Sequence, residues 1–428
     1  MVSIKKIISE GEKYGDIIVL KKDTNKISSD FSKRKIISTD EGNTTKLLIR
    51  ISKNKKFGYA TTSDFSKWKK CLMDAVSIMK ASKKVGHEIK LSEPEKIKIP
   101  EAVYSKKIKE LQPKKMVEKG YSIIDSVNKR LDIPMISISK SIEEIQISNS
   151  NGLNAREKET LFSTIVETKS GEVTATEMKV SRDLFDPVKV GKESERLCIK
   201  SLNPKPIKTF KGSLILDYFA FSGILNTTLV SAVSADEIQS KKSILYNKLN
   251  EKVFSDKLNV TDNGLLKKGL MSGSFDSEGT PLQKTKIIEN GIFKKPLYDI
   301  YSAEKDKTKS TGNCGGLEQL PLINPTNFII TPGEYSRDEI ISETKQGVLA
   351  KHAFGLHFIN PITGECSIGV ESAFYVKNGK IEYPIKQAMV NFNIFNQLKK
   401  LEVIGKNLRQ ESSIVAPTVR FDDVQIIG

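Results

Sequence analysis

The sequence predicts an α+β protein in three units: a small N-terminal α/β domain, a central domain of helix plus antiparallel sheet, and a large β-rich C-terminal domain. Three observations carry this. Apolar stripes at i, i+3, i+4 spacing mark long helices in the first half of the chain. Period-two apolar runs closed by Asn-Gly recur, and both central residues of such a type I′ turn need φ > 0. From Gly212 onward, short strand-like runs alternate with Gly and Pro punctuation.

The first unit spans residues 1–95. Residues 16–21 read as a strand after Tyr14-Gly15, and residues 46–52 as another. Asn54-Lys55-Lys56 leads into residues 58–64, read as a turn. Ser63 or Asp64 is placed to cap the next helix by accepting orphan N–H groups. Within that helix Trp68, Cys71, Leu72, Ala75, Val76 and Met79 share one face, a core stripe rather than a cofactor box. Residues 92–112 are polar, contain Pro94 and Pro100, and suit a linker.

The second unit, residues 113–206, begins with Pro113 at a helix start, where a missing N–H costs nothing. Its apolar face is Met116, Val117, Ile123, Ile124, Val127 and Leu131. Strands are expected over 135–140, 144–148, 162–168 and 172–181, with a turn at 149–152 and a closing helix over about 188–201. The third unit, residues 212–428, opens with a strand over 213–217 and a helix over 218–239. A hairpin of 283–288 and 292–298 turns at Asn290-Gly291, and a second turns at Asn378-Gly379. Helices over 337–344 and 393–400 precede a terminal strand over 418–427.

Composition limits the function classes. With 38% hydrophobic and 28% charged residues, the 428-residue chain reads as soluble and globular. No run of about 18 apolar residues occurs, so no transmembrane helix and no membrane partner are expected. Met1–Lys6 lacks the apolar region of a secretory leader. Cys71, Cys198, Cys314 and Cys366 are scattered, giving neither a disulfide framework nor a metal knuckle, so a reducing, cytoplasmic setting is expected. The net charge of +17 comes from dispersed lysines, without an Arg-rich arm or aromatic-basic interleaving, so no specific nucleic-acid partner is expected.

The candidates for chemistry are few. Of three histidines, His87 with Glu88 begins like a zincin, but Leu91 and Ser92 stand where a second His would fall. His352 and His357 lie five apart in a Gly-containing segment and read as core or loop residues. Cys314 would need one of them as a base to act as a nucleophile. The small, polar loop 311–316 would let another backbone approach closely. Thr311, Gly312, Asn313, Cys314 and Gly315, with His357, are therefore substrate-binding candidates. An ordinary connecting loop is the alternative.

Three phrases resemble one family. They are residues 275–303 followed by Ser310-Thr311-Gly312-Asn313, the Gly58–Asp64 phrase, and the Ser150-Asn151-Gly152 turn. Together they resemble the TldD/PmbA family of metalloproteases, in order, over nearly the whole chain. In that family the catalytic TldD-type subunit carries His-Glu-x-x-x-His on the first helix of its C-terminal domain. Here Asn226, Thr227 and Ser231 stand at those positions. The resemblance is thus to the PmbA/TldE-type subunit, a pseudoenzyme. It implies a non-catalytic, cavity-forming subunit of a cytoplasmic metalloprotease that degrades unfolded or extended peptides. No metal or cofactor is expected in this chain, and zinc is expected in the partner. That partner would be a TldD-type paralogue in a heterodimer, or a second copy in a homodimer. Two alternatives stand beside this. One is a metallopeptidase in its own right, with an atypical site drawn from Cys314, His352, His357, Cys366 or nearby carboxylates. The other is a basic protein that binds DNA or gyrase, as the family's early description as a gyrase modulator suggests.

Overall fold

The first half of the chain forms one six-stranded antiparallel sheet in the computed structural model, which describes residues 3–428. Met1 and Val2, the start of the stretch read for a leader, lie outside these. Helix α1 (Ile4–Gly11) precedes a meander of β1 (Asp16–Ser32), β2 (Lys35–Lys53) and β3 (Lys56–Thr62). Its tight turns place Lys33, Arg34, Asn54 and Lys55 at φ of 48°, 63°, 52° and 62°, the left-handed values that such hairpins require. Asp64 accepts a hydrogen bond from the Ser66 amide and so caps the turn into α2 (Trp68–Ala81). All six residues of the α2 stripe are buried. Residues 58–64 are not simply a turn, since they belong to β3 as far as Thr62. Gly58 is needed there because a Cβ would lie 2.2 Å from the Ala75 carbonyl oxygen of α2.

After α3 (Lys106–Glu110) and α4 (Pro113–Ser126) come β4 (Asp132–Asn149), β5 (Asn154–Ser170) and β6 (Val173–Ser181), closed by α5 (Val188–Lys200). Sheet order is β3-β2-β1-β4-β5-β6. β1 pairs with β4 from Ile18↔Asn149 to Phe31↔Ile136, so residues 1–95 and 113–206 share one sheet. The strands expected over 135–140 and 144–148 are a single strand. Polar cross-strand pairs carry the middle of the sheet: Asn25 Nδ2 donates to Asn43 Oδ1 at 2.9 Å, where apolar alternation fails. Residues 92–112 are docked on the protein. The Thr160 amide donates to the Val103 carbonyl at 3.1 Å, and the Lys268 amide to that of Glu101 at 3.2 Å.

The second half is built around a closed ring of strands. β7 (Phe210–Leu216) leads to α6 (Tyr218–Thr227), α7 (Leu229–Ala232) and α8 (Ala235–Gln239), where one helix over 218–239 was expected. The break falls at Thr228, whose hydroxyl donates to the Ile224 carbonyl at 2.7 Å, a side-chain bond that competes with helix continuation. β8 (Val260–Asn263), β9 (Lys284–Glu289), β10 (Ile292–Phe293), α9 (Ile300–Lys305) and β11 (Phe328–Ile330) follow. Asn290 and Gly291 adopt φ of 50° and 72°, as the Asn-Gly turn predicts. The returning strand stops at Phe293, however, and does not reach Tyr298.

Next come α10 (Arg337–Ser342), β12 (Gln346–Phe354), β13 (Glu365–Lys377), β14 (Lys380–Pro384), β15 (Ala388–Asn393), α11 (Ile394–Lys399), β16 (Val403–Gln410) and β17 (Ile414–Ile427). β17, β15, β13, β12 and β7 pair in that order, and β17 pairs again with β7 from Val419↔Leu216 to Ile426↔Phe210, which closes a barrel. Leu214, Val348, Val390, Val419 and Phe421 belong to its large apolar core, against which α6 packs Phe221 and Ile224. The two halves meet where Ile18, Leu48 and Ile147 of the sheet bury Phe275 and Leu317. No helix among the described residues is long and apolar enough to cross a membrane.

Candidate functional site

Loop 311–316 is held rigidly by buried carboxylates. Asp276 begins a tight turn in which its Oδ1 accepts from the amides of Glu278 and Thr280, both at 2.9 Å. Its Oδ2 accepts from the Cys314 amide at 2.9 Å, which fixes the loop to the turn. Asn313 donates to Asp262 Oδ2 at 2.8 Å, and Thr326 donates to the same carboxylate through its amide at 2.8 Å. Thr311 Oγ1 accepts from the Tyr298 amide at 2.7 Å. Asp299 caps α9 and accepts from the Leu322 amide at 3.1 Å. Gly312 sits at φ +73°, and a Cβ there would approach the Pro281 carbonyl oxygen to 2.6 Å. The glycine is demanded by the turn itself, a stronger reason than the approach of a second chain.

Beside this loop lies a cavity of about 280 Å³. Gly312, Asn313, Cys314 and Gly315 line one side of it, while Leu20 and Ile145 of the six-stranded sheet face them. Thr311 is buried behind. Burial pushes Asp276 up to about 8, reinforced by the nearby Glu278 carboxylate and opposed by its three amide donors. Burial raises Glu278 as well, while Arg50 pulls it back. Cys314 is not poised for nucleophilic attack. Burial and the carboxylates of Glu278 and Asp276 hold its thiol well above the usual range, and its Sγ donates to the Gly316 carbonyl at 3.1 Å.

Neither histidine joins Cys314. His357 is exposed on the turn after β12, against Phe358 with ring centroids 4.1 Å apart, and does not line the cavity. His352, on β12, packs against Phe219 at 4.7 Å. Burial, with Lys351 adding to it, lowers its pKa to about 4 and keeps it neutral. His87 stacks on Tyr301 at 3.9 Å. Asn226 is exposed at the end of α6, Thr227 donates to the Gly223 carbonyl at 3.2 Å, and Ser231 lies beyond the break, on α7. Among the described residues no three His, Cys, Asp or Glu side chains converge as metal ligands.

A second buried charge cluster, missed in the sequence, ties the sheet to the barrel beside the start of α6. Glu177 of β6 accepts from Lys351 of β12, and from Arg409 of β16 at 2.5 Å. Arg409 also reaches the Tyr218 hydroxyl at 2.6 Å and lies over the Tyr218 and Phe219 rings, 4.8 and 4.7 Å from their centroids. Glu411 joins through Arg409 Nε at 3.2 Å.

Burial pushes Glu411 from 4.5 up to about 8, with Arg409 opposing. A carboxyl raised in the fold retains a proton that the unfolded chain releases. Its stabilisation is therefore complete below pH 4.5 and lost as pH rises through about 8. Glu411→Gln keeps an oxygen for Arg409 but cannot titrate. Denaturant melts should show stability falling less between about pH 5 and pH 8 in the variant than in the natural chain. Parallel profiles would mean that Glu411 is ionised across this range.

A family profile described as the PmbA/TldA metallopeptidase C-terminal domain matches residues 209–428. An uncharacterized protein of Methanocaldococcus jannaschii is 31% identical over 426 residues, covering 98% of this chain and 99% of that one. The metalloprotease PmbA of Escherichia coli O157:H7 is 28% identical over 246 residues, covering 58% of this chain and 52% of its own length. The match thus spans about half of that metalloprotease. The crystal structure of TldE from Thermococcus kodakarensis has the same fold, with a TM-score of 0.88 at 24% identity and 100% coverage of both chains.

Proposed function

The chain belongs to the PmbA/TldD metallopeptidase family, and from that premise we propose that it is the non-catalytic subunit of a cytoplasmic two-subunit metalloprotease. The observation that carries this is the donor set at the start of the C-terminal half. Asn226, Thr227 and Ser231 offer a neutral amide and two hydroxyls. Zinc takes thiolate, imidazole or carboxylate ligands, so this set does not fit it. The break at Thr228 also separates the first two positions from the third. Zinc and the general base then belong to a His-Glu-x-x-x-His-bearing partner.

This chain's part is to wall the cavity and hold extended substrate. Among the described residues β6 pairs with β5 alone, and β16, bridged to Tyr335 at Gly405, pairs beyond that point with β17 alone, so the outer edge of β6 and the 408–410 end of β16 lack a second partner strand. Both edges face a cleft of about 500 Å³, lined by Lys179 and Val180 of one and Leu408 and Gln410 of the other. An unfolded polypeptide can bind such an edge through its backbone, which gives affinity with little sequence preference. Metal content tests the reading. The purified chain should carry far less than one zinc per molecule, and a chelator should leave its melting temperature unchanged. A full zinc equivalent, removed together with stability, would overturn the proposal, because a structural zinc site contributes folding energy directly.

A further inference from the structure

At the seam between the six-stranded sheet's helix α5 and the second half, α5, α10 and β12–β14 enclose a cavity of about 320 Å³. This lies at the small end of ligand pockets, which run from about 300 to 1,000 Å³ and favour domain seams. Its floor is apolar, with Leu197, Ile341, Leu349 and Phe374 all buried. Its walls carry Arg196, Lys200, Arg337 and Lys351 against only Asp338 and Glu382. Two of these cations are committed, Lys351 to Glu177 and Arg196 to Glu193.

Lys200 is not, and Arg337 is so only through one nitrogen. Lys200 stands exposed at the rim and forms no salt bridge among the described residues. Arg337 reaches Asp217 only at 3.5 Å. Its Nε is shielded from solvent and has no acceptor. A buried donor without an acceptor is costly, and the guanidinium fork matches the two oxygens of a carboxylate.

We propose that this cavity binds a small hydrophobic carboxylate, with the anion at Arg337 and Lys200 and an alkyl or aryl body on the Leu349–Phe374 floor. The same chemistry occurs in a free acid and in the last residue of a polypeptide that ends in an apolar side chain. A ligand here would sit beside Lys351, whose partner Glu177 lines the β6–β16 cleft, and would share no lining residue with the loop cavity.

Titration of the full chain, followed by calorimetry, tests this with N-acetyl-phenylalanine, its amide, phenylpropanoate and a short peptide ending in phenylalanine. The acid should bind at least about ten-fold more tightly than the amide, because only the acid offers a charge-assisted pair. Lys200→Glu should weaken acid binding about ten-fold by repulsion at the rim. Ile381→Glu, at a lining residue 44% exposed, should do the same, and both variants should melt as the natural chain does. Binding of phenylpropanoate but not the peptide would assign the site to free acids. Binding of the peptide would assign it to chain ends, and either result supports the proposal. Equal binding of acid and amide, no saturable binding of any acid, or undiminished binding by both variants would overturn it.

Discussion

Arg50→Ala should cost about 3–5 kcal/mol of folding stability, the range for removing one partner of a buried ion pair. Arg50 and Glu278 are 228 residues apart in sequence, each has a side chain 1% exposed, and Nη2 meets Oε1 at 3.1 Å. The second Glu278 oxygen accepts from the Ile300 amide at 3.0 Å, so the pair joins β2 to both the Asp276 turn and the start of α9. Without the guanidinium, Glu278 stays buried among Asp276 and Asp299 with only the Ile300 amide to offset its charge. Burial already raises its pKa, and Arg50 is what opposes the rise. The variant's carboxyl should titrate higher still, so the penalty should grow as pH rises and shrink on acidification. Replacing both residues with leucine should recover most of the loss, because a hydrophobic pair avoids the desolvation of two charges. Denaturant unfolding of the two single variants and the double variant measures this coupling. A loss below about 1 kcal/mol for Arg50→Ala, the size of a surface pair, would show that the ion pair is absent from the folded protein.

Arg50 also illustrates which parts of the fold the sequence conceals. The run Lys46–Ser52 reads as a strand, and in the fold Leu47, Ile49 and Ile51 form one buried face of it. Leu48, Arg50 and Ser52 lie on the opposite face, and they too are buried, because the C-terminal half covers that side of the sheet. Period-two reasoning finds one face of a strand and is silent about what a distant segment brings to the other. Asp262, Asp276, Glu278 and Asp299 were hidden in the same way. Each reads as a polar turn or strand-end residue, and only the fold collects them around loop 311–316. The one local cue was Asp276, a turn former followed by Glu278 and Gly279. The α2 stripe and the Asn290-Gly291 and Asn378-Gly379 turns were legible because their determinants lie within a few residues. Strand lengths were not. The long strands persist through polar stretches such as Asp23–Lys26 because neighbouring strands supply their hydrogen bonds, whatever the side chains.

Joining this chain with a His-Glu-x-x-x-His-bearing relative from the same genome should produce the largest effect of all. Co-expression is expected to give a stable complex that cleaves an unfolded protein at least about ten-fold faster than the relative alone, with all activity lost on chelation. On the proposed subunit role the relative would supply the metal and this chain the cavity wall and strand edge, so neither alone would both confine the substrate and hydrolyse it. Stable assemblies of this type commonly bury more than about 2,000 Å², so the complex should survive gel filtration. Loop glycines are poor probes of the substrate path, since Gly312→Val would force a β-branched residue to φ +73° and collide with the Pro281 carbonyl. Met271→Trp is better suited. Met271 lines the 280 Å³ cavity and is 48% exposed, so an indole there can fill the space without removing a side-chain hydrogen bond. If substrate passes this cavity, the variant should assemble normally and cleave more slowly. Unchanged cleavage would remove the cavity from the path while leaving the subunit role intact. A complex that forms but adds nothing to the relative's own activity would defeat the subunit role itself.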